Sequence, residues 1–344
     1  MNKRLGIIGG GQLGMFICIA AKKLNIQTSL FSSTDKFSAR DFCDNCFVGS
    51  FEDNRLLDSF IDSADYFTIE TENIPKKILE KIEERKQLFP GSMAIKIAQN
   101  RVYEKNFINS IEGLKTVKFS KINNYEELLN EFKEYNYKAI IKSSELGYDG
   151  KNQYLVKKEN IKSFENKNLE NFIIEEFIEY DMEISVIVCK GEGNLVVYPP
   201  VENIHQDSIL KESKYPGKIP NNIRKKSIEH AKKIAEKISL RGILAVEMFV
   251  IDSNEIIINE LAPRPHNSGH LTMDCCEYNQ FDNLIYSIFS KKVKEPKPFR
   301  NCRMVNIIGE DYNNIENLKS KYICYDYNKE EIRPKRKMGH YVII

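Results

Sequence analysis

Residues 1–90 alternate short apolar runs with helical periodicity, and that alternation admits few folds. Leu5 to Ile8, Ile26 to Phe31 and Tyr66 to Glu70 read as strands, and Met15 to Leu24 and Lys76 to Gln87 as helices. Such units predict a parallel sheet flanked by helices. Between the first strand and first helix lies GGGQLG, where Gly9, Gly11 and Gly14 satisfy G-x-G-x-x-G. Glycines there let a backbone approach a phosphate at a helix N-terminus. Three glycines alone are a weak signal. The second strand runs into Phe31, Ser32 and Ser33, and the nearest acid is Asp35, too far into the loop to hold the ribose of a nicotinamide cofactor.

The rest of the chain changes pattern. MAIKIAQNRVYEKNFINS (93–110) is helical. After it come strands at Lys138 to Lys142, Tyr154 to Val156, Phe172 to Phe177 and Glu183 to Cys189, with one helix at Glu126 to Tyr135. Pro199, Pro200, Pro216 and Pro220 mark a loop, followed by a long helix from Asn222 to Ile238. A hairpin follows, ILAVEMFVI then DSNE then IIINEL, and the last part is strand-rich and basic near its end. A length of 344 residues allows two or three domains. A net charge of +2 makes no electrostatic case for a nucleic-acid partner. No apolar stretch is long enough to span a bilayer and no secretory signal is read, so no membrane partner is expected. The eight cysteines include Cys43 and Cys46 in a CxxC and adjacent Cys275 and Cys276, without the second pair a zinc site wants. They read as structural or surface thiols in a reducing cytoplasm, with a metal or redox role as the alternative.

Four stretches carry chemistry. Glu247 interrupts an apolar strand, where an ionised carboxylate needs a partner. The returning strand brings Asn259 and Glu260 near it, an oxygen set suited to Mg²⁺ with substrate phosphates; a solvated edge is the alternative. Next, LAPRPHNSGHLT (261–272) holds Arg264, His266 and His270. Pro265 and Gly269 make it a loop rather than a zinc-binding helix, so it reads as a substrate loop or a structural turn. SSELGYDGKNQ (143–153) follows Lys142 and can cover phosphates or form a plain turn. Finally, NFIIEEFIEYDME (171–183) can offer backbone to an adenine edge and Glu183 to a ribose, or be a solvated acidic face.

The order GGGQLG, IETENIP, NRVYEK, GYDGKNQ, EEFI, VEMFV…INELAPRPHNSGH, RPKRKMGH closely resembles the ATP-grasp family of N5-carboxyaminoimidazole ribonucleotide synthetases over essentially the whole chain. The resemblance implies an α/β and α+β architecture. Residues 1–92 would be a Rossmann-like substrate domain without nicotinamide. Residues 93–275 would be the ATP-grasp region with a mobile lid near 105–180, and 276–344 a small, mostly β C-terminal domain. It implies ATP, Mg²⁺ (Mn²⁺ as an alternative) and bicarbonate, with 5-aminoimidazole ribonucleotide as the carboxylated substrate, in a homodimer.

By motif match, Arg101 and Lys142 would contact ATP phosphates under a loop of Gly147, Tyr148, Asp149, Gly150, Lys151, Asn152 and Gln153. Glu175, Glu176, Phe177 and Ile178 would hold adenine, and Glu183 the ribose, with His205 nearby. Glu247 and Glu260 would hold the metal, with Asn259 adjacent. Tyr148, Asp149, Lys151, His270, Lys329 and Arg336 would hold the ribonucleotide, with Gln12, Leu13 and Glu72 in the same pocket. Arg264 would stabilise carboxyphosphate, and His270 would be a base or a contact. Four departures stand out: Met15 and Phe16 for a common Arg-Met, and Leu146, Asn152 and Lys335 each for a glycine. The rivals are a formate-dependent glycinamide ribonucleotide transformylase, an NAD(P)-dependent oxidoreductase and a non-catalytic ATP-binding protein.

Overall fold

The computed structural model describes residues 3–145, 153–290 and 292–344. Strands β1 (Arg4–Ile8), β2 (Gln27–Ser32), β3 (Asn45–Val48), β4 (Tyr66–Ile69) and β5 (Gln87–Phe89) form a parallel sheet in the order β3-β2-β1-β4-β5. The strand order reverses direction between β1 and β4, which sets the loops after them side by side at the crevice where open parallel sheets bind ligands. The glycines follow β1, and Glu70 and Glu72 follow β4. Three elements of this part of the chain escape the sequence reading: β3, the helix Asn54–Asp62 and β5. Edge strand β3 is only four residues, NCFV, and none of them is fully buried. Helix Asn54–Asp62 starts at Asp53, whose carboxylate accepts the N–H groups of Arg55 and Leu56. The helix expected to reach Gln87 ends at Glu83, because Gln87 already pairs with Tyr66 in β5.

The helical stretch at 93–110 is two helices, Ser92–Ala98 and Arg101–Asn109. Asn100 divides them, its side chain capping the second by accepting the N–H groups of Val102 and Tyr103. A second sheet follows, antiparallel in the order β6-β9-β7-β8: β6 (Phe119–Ile122), β7 (Lys138–Ser143), β8 (Gln153–Lys157) and β9 (Phe172–Glu176). Helix Tyr125–Glu134 covers it, burying Leu128 and Phe132 against Ile141, Val156 and Ile174.

The largest sheet has nine strands, β10 (Met182–Lys190), β11 (Leu195–Val197), β12 (Val201–Gln206), β13 (Ile209–Tyr215), β14 (Gly242–Ile251), β15 (Glu255–Ala262), β16 (Cys302–Ile308), β17 (Ile323–Asp326) and β18 (Lys337–Ile343). Its order is β15-β14-β10-β12-β13-β16-β18-β17, with β11 beside β10. The stretch marked by prolines is therefore not a loop. It holds the β12–β13 hairpin, turned at Asp207 and Ser208, both at positive φ as a two-residue hairpin turn requires. Pro200 and Pro216 flank the hairpin and leave its ladder intact. The C-terminal strands join the same sheet through β13 and β16. Helix Gln12–Lys23 is apolar on nearly every side because it is covered from both: one cluster runs from Leu5 and Ile7 through Phe16 to Phe281 and Tyr327. Helix Asn221–Lys237 packs on β10 and β14 in a separate cluster. Among the described residues no helix is long and apolar enough to cross a membrane.

Candidate active site

The β14–β15 hairpin places Glu247 opposite Glu260, and its register then slips, so that Met248 faces Ile258 and Asn259 is the extra residue. That bulge turns two neighbouring side chains toward the same place. Asn259 Nδ2 donates to Glu247 Oε2 at 3.3 Å, and Glu260 Oε2 accepts from Arg101 Nη1 at 3.2 Å. Glu247 is buried, and His266 Nε2 lies 3.2 Å from its Oε1. Burial opposes its ionisation, but the hydrogen bond from His266 and the charges of His266, His205 and Lys337 hold its carboxyl down at about 2. Glu247 is thus an ionised, oriented carboxylate. Among the described residues no three His, Cys, Asp or Glu side chains are placed to hold a metal. Two facing carboxylates are the donor set of a hard cation that takes the rest of its shell from phosphates.

The cations stand beside this pair. Arg101 opens its helix, and its N–H donates to the carbonyl of Ser144 at 2.8 Å, joining helix to the end of β7. Lys142, in β7, has its Nζ 2.6 Å from Glu175 Oε2. Burial pulls the Lys142 amine below its usual range, and the charges of Arg101 and Lys105 add to this against Glu175. Burial likewise opposes ionisation of Glu175, yet Lys142 and Lys105 hold its carboxyl at about 2. So the Glu175 side chain is engaged by lysines. The expected adenine segment continues with exposed Glu176 and half-buried Phe177 and Ile178, with Lys138 Nζ 3.7 Å over the Phe177 ring. Glu183 on β10 meets His205 on β12, Oε2 to Nδ1 at 3.0 Å. Gln153 opens β8 opposite Lys142. Gly147, Tyr148, Asp149, Gly150, Lys151 and Asn152 lie outside the described residues.

On the other side of Glu260 lies Arg264. Its guanidinium forks onto Glu72, with Nη2 3.2 Å from Oε1 and Nε paired with Oε2. Burial acts against the Arg264 charge, but Glu72, Glu70 and Glu260 together raise its pKa further. One cleft is lined by Glu72, Arg101, Glu104, Ser144, Glu260 and Arg264, so the cationic and glycine-loop sides meet at Glu260. The larger cavity, about 450 Å³, lies elsewhere, against Leu114, Lys226 and His230. In the glycine loop, a Cβ on Gly11 would fall 2.7 Å from Glu70 Oε2, and burial pushes the Glu70 carboxyl up against the opposing pull of the Gly11 and Gly14 N–H groups and Arg264. The Glu70 side chain therefore fills the space over the glycines that a dinucleotide pyrophosphate would need. Glu70 has no role in the sequence reading, although it stands in the IETENIP motif.

Gln12 is half-buried and Leu13 buried at the start of helix Gln12–Lys23. His270 is wholly buried, its ring among Phe16, Phe281, Tyr327 and His340. Burial, with the charges of His340 and His266 behind it, keeps His270 far below the usual imidazole range, and among the described residues its Nε2 has no hydrogen-bond partner. The other imidazole of the motif, His266, is the one on Glu247. Lys329 Nζ donates to the Lys337 carbonyl at 2.6 Å, and Arg336 Nη1 to the Glu331 carbonyl at 2.9 Å. Their loop is tied to the first sheet's side by the Lys36–Glu330 ion pair, and the Lys329 charge is felt by Glu70. The Cys43 and Cys46 sulfurs lie 2.8 Å apart beside edge strand β3.

Comparisons with known proteins agree with this geometry. Residues 1–99 match the ribonucleotide synthetase preATP-grasp domain, 108–281 the ATP-grasp domain, and 302–344 the phosphoribosylaminoimidazole carboxylase C-terminal domain. The N5-carboxyaminoimidazole ribonucleotide synthase of Bacillus subtilis (strain 168) is 34% identical, covering 98% of this chain and 90% of its own. The ADP complex of an N5-carboxyaminoimidazole ribonucleotide synthetase superposes with a TM-score of 0.94 at 36% identity, covering 99% of this chain and 92% of that one. The Aspergillus clavatus enzyme in complex with ADP and 5-aminoimidazole ribonucleotide gives 0.90 at 26% identity, covering 99% and 93%. Three domain matches in sequence order, a near-complete superposition and a carboxylate hairpin set between two basic clusters lead to one conclusion: the chain belongs to the N5-carboxyaminoimidazole ribonucleotide synthase family of ATP-grasp ligases.

Proposed function

We propose that this chain couples ATP cleavage to carboxylation of 5-aminoimidazole ribonucleotide, yielding N5-carboxyaminoimidazole ribonucleotide in purine biosynthesis. The observation that carries the reading is the place of Glu260, facing Glu247 across the hairpin, bonded to Arg101 on one side and felt by Arg264 on the other. Phosphates on the Arg101–Lys142 side and a ribonucleotide on the Arg264–Glu72 side would meet there. Bicarbonate is the second substrate. ATP transfers its γ-phosphoryl to a bicarbonate oxygen, ADP leaves, and the carboxyphosphate formed releases phosphate as its CO₂ passes to the exocyclic amine of the ribonucleotide. The amine loses one proton as the carbamate C–N bond forms. Phosphoryl transfer asks for positioning and charge neutralisation, which Arg101 and Lys142 supply.

Glu247 and Glu260 would hold Mg²⁺, or Mn²⁺, with Asn259 steering Glu247. When bound, the cation neutralises phosphate charge. Glu183 and His205 would hold the ribose of ATP. Arg264 turns two N–H donors to Glu72 and keeps others for carboxyphosphate. Lys329 and Arg336 would face the 5′-phosphate, with Gln12, Leu13 and Glu72 around the ribonucleotide. His270, neutral through burial, would be a proton acceptor of low basicity or a contact. A homodimer in the cytoplasm belongs to the same reading. The test is ¹³C-bicarbonate with ATP and the ribonucleotide, followed by ¹³C NMR. A carbamate carbon on the substrate amine is expected. Label absent from the ribonucleotide, with ¹³C-formate incorporated in its place, would overturn the reading.

A further inference from the structure

Helix Arg101–Asn109 carries two adjacent ionisable side chains that are both buried: Glu104 is 2% exposed and Lys105 1%. They face opposite ways. Glu104 accepts the Leu261 N–H at 2.7 Å, on the hairpin strand β15. Lys105 points into the β6–β9 sheet, its Nζ 3.0 Å from Glu175 Oε1 and 5.9 Å from the Phe119 ring centroid. The other oxygen of Glu175 lies 2.6 Å from Lys142 Nζ. One buried carboxylate therefore carries two buried cations, one from the helix and one from the sheet.

This arrangement is hard to explain as packing. Removing an ammonium from water costs several kcal/mol, and a buried ion pair is often replaced by apolar side chains at no loss of stability. A Leu or Met at 105 would fill the space. What the second cation changes is the charge balance. Alone, Lys142 and Glu175 would form a neutral pair, with the carboxylate wholly committed to Lys142. With Lys105 as a second ion-pair partner, the trio keeps one net positive charge and Glu175 is not committed to Lys142 alone. Lys142 is 8% exposed, against 1% for Lys105, so of the two cations Lys142 is the one with some access to solvent. The same helix presents Arg101 one turn earlier, on Glu260.

We propose that Lys105 is a positioning residue for nucleotide binding: it shares the Glu175 carboxylate with Lys142, so that Lys142 keeps donors for phosphate oxygens, and it fixes the β6–β9 sheet to the helix that carries Arg101. This rests on the ATP-dependent reading above. Among the described residues, the charged groups around Lys142 are Glu175 from β9 and Arg101 and Lys105 from the helix. Removing Lys105 takes away a like charge and leaves Glu175 to Lys142 alone, and both changes strengthen the proton's hold on Lys142.

The experiment compares wild type, Lys105→Met and Lys105→Arg in steady-state kinetics and in direct binding of a fluorescent ATP analogue. Lys105→Met is expected to raise the KM for ATP by about tenfold and to leave the KM for the ribonucleotide within about twofold. It is also expected to shift the alkaline limb of kcat/KM for ATP to higher pH. Lys105→Arg, which keeps the charge, is expected to bind nucleotide within about threefold of wild type. A folded Lys105→Met with unchanged nucleotide affinity overturns the proposal. If Lys105→Met does not fold, Lys105→Arg decides alone, and a tenfold loss in it overturns the proposal. Wild-type turnover with bicarbonate and the ribonucleotide is measured beside the variants, so failure of the reaction assignment shows in wild type and failure of the Lys105 role shows only in the variants.

Discussion

Glu104 shows how a single buried group ties the site to stability. Burial and the nearby Glu260 charge push its carboxyl up to about 8 from 4.5, against the pull of Arg101, the Leu261 N–H and Lys105. The folded protein then binds this proton more tightly than the unfolded chain does. Its contribution is full below about 4.5 and is lost as pH rises toward about 8, so stability falls across that window. Glu104→Gln keeps the acceptor for Leu261 N–H and removes the titration. It is expected to flatten the pH dependence of urea midpoints between pH 5 and 8 and to be more stable than wild type at pH 8 by about 2–4 kcal/mol. A decline as steep as that of wild type would show that Glu104 is ionised in the folded state. Such residues are not legible in sequence. Glu247 stands out because it breaks an apolar strand, and Arg101 and Lys142 were found through their motifs. Glu104 and Lys105 sit in NRVYEKNF, where charges on a helix look like a solvated face until its neighbours are known. His266 and His270 lie in one loop, and only packing separates the imidazole on Glu247 from the one sealed among aromatic rings.

At the scale of elements, legibility follows the contrast between faces. The β14–β15 hairpin alternates little and is buried, with a polar turn between two apolar runs, so it could be read. The β12–β13 hairpin could not, because its strands VENIHQ and ILKESKY carry polar side chains, among them His205 on Glu183. Of the departure at Met15 and Phe16, the phenylalanine finds its reason here: the Phe16 ring centroid lies 5.2–6.2 Å from those of His270, Phe281, Tyr325, Tyr327 and His340, joining the first sheet's helix to the C-terminal strands. Lys335 is a different case. It adopts φ 65°, a conformation that suits glycine, in the turn before β18. Lys335→Gly is expected to raise stability by about 0.5–1 kcal/mol, the relief of left-handed strain outweighing the added freedom of the unfolded chain. Thermal unfolding checks this, and a lowered midpoint would mean the lysine's contacts outweigh the strain.

For the whole molecule, the chain returns to its own centre. The C-terminal strands add to the sheet that carries Glu247 and Glu260, and this brings the Lys337 charge to bear on Glu247 and that of Lys329 on Glu70. No local pattern reveals that pairing, since it depends on β13 meeting β16 across some ninety residues of chain. The βαβ order and the carboxylate hairpin were open to sequence because they are made by neighbours. On the proposed reading, the site has a nucleotide side, a ribonucleotide side and Glu260 between them, which predicts that ATP is cleaved productively only when both sides are filled. The most direct measurement is ADP release from Mg·ATP with bicarbonate, with and without 5-aminoimidazole ribonucleotide. Strong stimulation by the ribonucleotide that disappears when bicarbonate is removed is the predicted result. ADP release indifferent to the ribonucleotide, in folded protein that binds ATP, would contradict it.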